Sequence, residues 1–197
     1  SALMQGLADG YFIIPYTLGD YLATQDPFNN HNHVAFETGV ATAKEQIQKM
    51  LAIKGEKTVD DIHKQLGKTM WDNVGMSRSK DSLLNALELI PQIKQEFWQN
   101  INIPGSNEEF NPELEKAGRL ADFIDLGELM ARDALNREES CGGHFREEHQ
   151  TSEGEAKRKK EFQHVSAWEY VGEPKDSILH KEDLNFNDIQ VKERSYK

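Results

Sequence analysis

Apolar residues recur at helical spacing along most of this chain. Leu3, Leu7, Gly10, Tyr11 and Ile14 share one face of a pattern that begins at the first residue. Pro15 should kink that helix or start a new turn, after which the pattern resumes to about Ala23. The stretch "TQDPFNNHNH" is rich in turn formers and reads as a loop. The spacing predicts a helix over 34–53, with Val40, Ala43, Ile47, Met50 and Leu51 as its stripe and Gly55 as its stop. Thr58 or Asp60 should cap the next helix, over 58–74, which carries Ile62, Leu66, Met70 and Trp71 and ends at Gly75. Ser79 or Asp81 should cap a strong helix over 80–101, through Leu83, Leu84, Leu87, Ile90, Ile93, Phe97 and Ile101, bent at Pro91. Pro112 suits the first turn of the longest helix, over 112–138. Its inward residues should be Leu114, Leu120, Ala121, Ile124, Leu126, Leu129, Met130 and Leu135.

Past Ser140 the pattern changes. "CGGHFREEHQTSEGEAKRKKEF" is polar and punctuated by glycine, and its basic run from Lys157 to Lys160 reads as a solvated loop. "FQHVSAWEYVG" alternates like a strand, with Val165, Ala167 and Tyr170 to one side. "FNDIQVKERSYK" could form a second short strand. Consecutive helices with short connections suggest an antiparallel bundle. The expected fold is therefore mainly α: a bundle of three to four helices with a small extended or β tail at the C-terminal end. Leu84, Leu87, Ile93, Leu120, Ile124 and Leu129 should be buried in it.

Composition narrows the function. The 197 residues are 37% hydrophobic, on the low side for a domain that buries its whole core by itself. A net charge of −11 repels phosphate backbones and anionic membrane surfaces, so nucleic-acid binding is disfavoured. One cysteine cannot make an internal disulfide, which suggests a reducing, cytoplasmic compartment. The most apolar stretch, 3–22, is broken by Gln5, Asp9, Pro15, Gly19 and Asp20 and does not read as a membrane span or a signal peptide. A helix already under way at Ser1 suggests the C-terminal piece of something larger.

No motif declares a reaction by itself. His31 and His33 lie in one loop, and His144, His149 and His164 lie further on, without the pair spacings of a zinc site. Cys141 has His144 three residues away, but the intervening Gly-Gly pair gives no rigid nucleophile–base geometry. There is no phosphate-binding loop and no GxGxxG.

Three segments do carry a likeness. "SALMQGLADGYFIIPYTLGDYLA" resembles the segment just after the "RLG" flavin-site motif of succinate dehydrogenase and fumarate reductase flavoprotein subunits, in the form found in Bacteroidetes-type enzymes. "KTMWDNVGMSRSKDSLLNALELI" is similar to their helical C-terminal domain, and "EESCGGHFR" to their "ESRGxHxR" segment. "VKERSYK" looks like their C-terminal end. Glu139, Ser140, Gly142, His144 and Arg146 match that pattern, whereas Cys141 stands where the family has arginine.

The resemblance implies an oxidoreductase that interconverts succinate and fumarate through covalently bound FAD. Electrons would pass to an iron–sulfur subunit and then to a membrane quinone subunit, with the whole enzyme peripheral on the cytoplasmic face of the inner membrane. It implies that residues 1–30 end the flavin-binding domain, 31–140 form the helical domain, and 141–197 form a loop and strand tail docked on the rest of the subunit. Backbone groups of Ser1, Ala2 and Leu3 would face the flavin ring, where a helix N-terminus suits a reduced, anionic flavin. The histidine that carries the flavin, the catalytic arginines and the dinucleotide fold would lie upstream, in FAD and capping domains not included in these residues. This piece alone would therefore hold no flavin and be inactive. Residues 137–150 would form a hinge, with His144 and Arg146 aimed away from the bundle to dock the missing domains. An L-aspartate oxidase-like flavoenzyme shares the same segment, and a non-enzymatic helical interaction module is the reading without the resemblance.

Overall fold

The computed structural model describes residues 2–26 and 33–188. By contacts the chain divides into two units, between Lys44 and Glu45. The first unit opens with α1 (Ala2–Ala8), one wider π turn (Asp9–Ile13) and α2 (Ile14–Ala23). The wider turn lies just ahead of Pro15. A proline ring presses on the carbonyl four residues back, here Tyr11, and a π turn relieves that clash without ending the helix. Leu3, Phe12, Ile14, Leu18 and Leu22 are all exposed on this stretch. The division falls within α3 (Val34–Ala52).

The second unit is built on α4 (Val59–Val74), α5 (Lys80–Asn100) and α6 (Pro112–Asn136), each in contact with the other two as an antiparallel bundle. Thr58 caps α4 and Ser79 caps α5, each with a reciprocal capping box that satisfies two first-turn groups. Asn111 caps α6: its Oδ1 accepts from Glu113 N–H and Leu114 N–H at 3.1 Å each. α5 runs unbroken through Pro91. Met50, at the end of α3, joins the core formed by Ile62, Leu66, Leu83, Ile90, Ile93, Phe97, Leu120 and Ile124. Gly55 is not a helix cap of positive φ. It is needed because an added Cβ would overlap the Asn100 carbonyl, where the chain after α3 crosses the end of α5. There Gly55 N–H donates to Ile101 O at 3.0 Å and Lys57 N–H to Asn100 O at 2.9 Å.

The inward faces differ from the expected stripes. Leu84 is 46% exposed and Leu87 only half-buried, whereas Leu83, Ala86, Ile90 and Ile93 fill the core. On α6, Leu126 and Met130 are exposed at 53% and 47%, and Leu129 is half-buried. The buried positions are Ala117, Leu120, Ile124, Gly127, Glu128, Ala131 and Ala134, a helical stripe of mostly small residues. Small side chains let α6 lie close to its neighbours, so its bulkier residues are left to the flanks. Gly127 shows how little room there is, since a Cβ there would stand 3.2 Å from the Met70 sulfur.

Beyond α6 the chain makes a loop region and then an antiparallel hairpin, β1 (His164–Glu169) with β2 (Ile178–Asp183). The second strand is thus earlier than 186–197, of which 189–197 lie outside the described residues. The expected alternation is present in β1. His164, Ser166 and Trp168 turn inward and Val165 and Ala167 outward. The reason is polar: Trp168 Nε1–H donates to the Asp133 carboxylate on α6 at 2.8 Å, which fixes the strand's inner face. A one-residue change of phase would turn that indole to solvent.

The small-residue stripe makes a direct prediction. Ala131→Leu should destabilise the chain by about 1–3 kcal/mol through overpacking. Ile90→Ala should cost about 2–5 kcal/mol and Leu84→Ala under about 1 kcal/mol. Urea unfolding followed by circular dichroism measures all three. Equal losses at residues 84 and 90 would contradict the packing.

Candidate functional site

The last carbonyls of a helix have no partner within it and carry a partial negative charge. At the end of α6 an arginine from the following loop meets them. Arg146 Nη1 donates to Ala134 O at 2.9 Å and to Leu135 O at 3.2 Å, and the side chain is only 2% exposed. Its Nε donates to Glu148 Oε2 at 3.2 Å. Glu148 Oε1 accepts from the backbone N–H of Lys80, the first residue of α5. One Arg–Glu pair therefore spans a helix C-terminus and a helix N-terminus, with each charge of the sign its helix end favours. Burial works against the charged form of Glu148. The Lys80 N–H and Arg146 still hold its carboxyl below the usual carboxylate value.

The loop reaches this position by way of a tight turn. Cys141 N–H donates to His144 O at 2.8 Å and His144 N–H to Cys141 O at 3.0 Å, closing a two-residue turn. Gly142 at its first corner has φ +60°, a region a side chain would strain. Ser140 holds the base of the loop. Its hydroxyl donates to Arg146 O at 3.2 Å and accepts from Arg146 N–H at 2.8 Å. Glu139 is fully buried. It accepts from Arg137 Nε at 3.0 Å and from Lys159 N–H at 2.9 Å, so both carboxylate oxygens are used. Arg137 Nη2 also donates to Phe162 O at 2.9 Å.

His144 bridges two elements. Its Nδ1 lies 3.0 Å from Arg78 Nη1, and its Nε2 lies 2.8 Å from Arg137 O. A guanidinium only donates and a carbonyl only accepts, so Nδ1 must be the bare nitrogen and Nε2 must carry the proton. Burial lowers the imidazole pKa, and the charges of Arg78, Arg146 and Arg137 lower it further against the pull of the Arg137 carbonyl. Arg78 Nε donates to Gly75 O at 2.9 Å. The backbones meet here too: Glu147 N–H donates to Arg78 O at 2.8 Å.

The expectation that Arg146 and His144 point away from the bundle is therefore reversed. Both face into it, because the unpaired ends of α6 and α5 are a stronger local demand than solvent. Sequence reasoning missed Arg78 and Glu139 as partners. Arg78 sits between the Gly75 stop and the Ser79 cap, a stretch read only for its punctuation. The basic run is also less solvated than expected, since the Lys159 N–H serves Glu139 and Lys157 O accepts from Ser140 N–H at 2.9 Å. Of the flavin-facing trio, Ser1 lies outside the described residues, Ala2 opens α1 and Leu3 is exposed. His31 also lies outside them, and His33 Nδ1 accepts from Ala35 N–H at 3.2 Å. Cys141 is a half-buried free thiol. Among the described residues no group of three His, Cys, Asp or Glu is placed to hold a metal, and no helix is long and apolar enough to cross a membrane.

Comparisons with known proteins extend this picture. The family model described as "Fumarate reductase flavoprotein C-term" matches residues 63–196. An uncharacterized FAD-dependent oxidoreductase of Methanocaldococcus jannaschii is 32% identical over 121 residues, covering 60% of this chain and 21% of the relative. The succinate dehydrogenase flavoprotein subunit of Bacillus subtilis is 24% identical over 170 residues, covering 86% of this chain and 28% of the relative. Among solved structures, the E. coli quinol fumarate reductase chain superimposes with a TM-score of 0.69 at 20% identity, covering 85% of this chain and 27% of that one. That last likeness is one of fold. The chain thus spans between 21% and 28% of the length of these proteins.

Removing the guanidinium should expose the logic of the clamp. Arg146→Ala strands two helix carbonyls and loosens Glu148, and should cost about 2–5 kcal/mol. Arg146→Lys keeps the charge but not the two-sided reach of the fork, and should recover only part of that loss. Thermal and urea unfolding of both variants test this. A loss under about 0.5 kcal/mol for Arg146→Ala would show that the clamp is not structural.

Proposed function

We propose, since the chain belongs to the fumarate reductase flavoprotein C-terminal family, that it forms the C-terminal part of a flavoprotein subunit that interconverts succinate and fumarate. The observation that carries this is the extent of the family match. Residues 63–196 take in most of α4, all of α5 and α6, the clamped loop and the hairpin in one run. The fold likeness to fumarate reductase over 85% of the chain supports it.

In this reading the chain's contribution is architectural. FAD, held mainly by residues outside this chain, would supply hydride transfer to and from the substrate. The residues here fit that cofactor only as an edge. α1 begins at Ala2, and first-turn amides at a helix start have unpaired N–H groups suited to a reduced, anionic ring. Residues 1–30 would complete the flavin domain, consistent with the exposed apolar residues along α1 and α2. The tail, 141–197, would dock on the same subunit through the outer hairpin face, where Val165 and Ile178 are exposed. Electrons would leave the flavin for an iron–sulfur subunit and then a membrane quinone subunit. The assembly would be peripheral on the cytoplasmic face of the inner membrane.

The test has two arms. The 197-residue chain, given FAD and succinate, should reduce no dye above the buffer blank. The native polypeptide that carries this chain, captured with an antibody against it, should show bound-flavin absorbance and succinate-dependent dye reduction. Turnover by the chain alone would overturn the architectural role. A captured polypeptide without flavin would overturn the assignment to a flavoenzyme.

A further inference from the structure

The imidazole of His144 is held between two groups that dictate its protonation. The Arg78 guanidinium, from the α4–α5 connection, can only donate and faces Nδ1 at 3.0 Å. The Arg137 carbonyl, at the end of α6, can only accept and faces Nε2 at 2.8 Å. A proton added at Nδ1 would point at a guanidinium, so the hydrogen bond would be lost and replaced by repulsion between two cations.

The surrounding charges sharpen the conflict. The guanidiniums of Arg78, Arg137 and Arg146 all act on the ring, from the α4–α5 connection, the end of α6 and the loop itself. The nearby carboxylates are engaged elsewhere. Glu139 pairs with Arg137 and Glu148 with Arg146, while Asp133 favours the charged form of Arg78. The backbone of the same loop docks on the same connection, through Arg78 N–H to Phe145 O at 3.3 Å and Glu147 N–H to Arg78 O. The His144–Arg78 bond therefore stands at the seam where the loop meets the bundle.

We propose that His144 is an acid-sensitive latch: uptake of a proton from solvent at Nδ1 breaks its bond to Arg78 and frees the loop from Cys141 to Glu147 from the α4–α5 connection. This goes beyond the catalytic reading and does not depend on it. The direction follows from linkage. A histidine in the opened loop titrates near its ordinary value of about 6.5, whereas the latched ring binds its proton only at lower pH. Opening is therefore unaffected well above about pH 6.5. It grows as the pH falls through that value, and levels off below the latched ring's own titration. Each unit of separation between the two amounts to a factor of about ten in the opening equilibrium.

Nuclear magnetic resonance on the full 197-residue chain tests this. At about pH 7.5 the imidazole nitrogens should report the neutral form with the proton on Nε2. Exchange of the two amides that cross the seam, Arg78 N–H to Phe145 O and Glu147 N–H to Arg78 O, corrected for its intrinsic pH dependence, should quicken by up to about tenfold by about pH 5.5. His144→Gln can still donate to the Arg137 carbonyl and accept from Arg78 but does not titrate, so it should flatten that rise. His149→Gln should leave the rise in place. A proton on Nδ1 at the higher pH, no quickening in the unmodified chain, or the same quickening in His144→Gln would each overturn the proposal. Should His144→Gln not fold, the unmodified chain decides. Exchange that tracks the His144 resonance supports the latch, and exchange that tracks His149 instead overturns it.

Discussion

The fold of the second unit depends on how two helix ends are satisfied at once. α6 finishes with carbonyls that need donors, and α5 starts with amides that need acceptors. Arg146 meets the first and Glu148 the second, and the two side chains bond each other. An arginine that is only 2% exposed is costly to bury without partners, so its position is specified sharply. The loop that follows α6 is anchored by that insertion. Ser140 grips both backbone groups of Arg146, and Glu139 draws in Arg137 and Lys159.

Much of the helical part was legible from sequence because local rules decide it. Thr58, Ser79 and Pro112 mark helix starts in the chain and in the structure alike. The composition of each face was less legible. Reading size as burial put Leu126 and Met130 inside, whereas the close approach of helices selects Ala117, Ala131 and Ala134. Helix-to-helix distance is a property of pairs of elements, and no single stripe encodes it. Which side of β1 faces inward was not legible for a similar reason, since Trp168 turns inward to reach Asp133, 35 residues earlier. Ring size and alternation alone do not reveal such a partner.

The loop around Cys141 shows the same limit on function. Its motif residues carry a family likeness, and the likeness is upheld by the match over 63–196. Their direction was not in the motif. His144 and Arg146 serve bonds inside the chain, so their recurrence in the pattern has a structural cause that needs no contact with flavin or substrate. In this account the bundle, loop and hairpin are one folded body that gives the proposed flavoprotein subunit a rigid C-terminal part.

Native-state hydrogen exchange in rising urea tests that claim most directly, because it compares the stability of the loop with that of the helices it clamps. At about pH 7.5, where the His144 latch is closed, the amides of Ser140, Cys141 and Glu147 should open together with those of the last turn of α6, merging with global unfolding as urea rises. Loop amides that exchange through a separate, urea-independent opening several kcal/mol below that of α6 would contradict it.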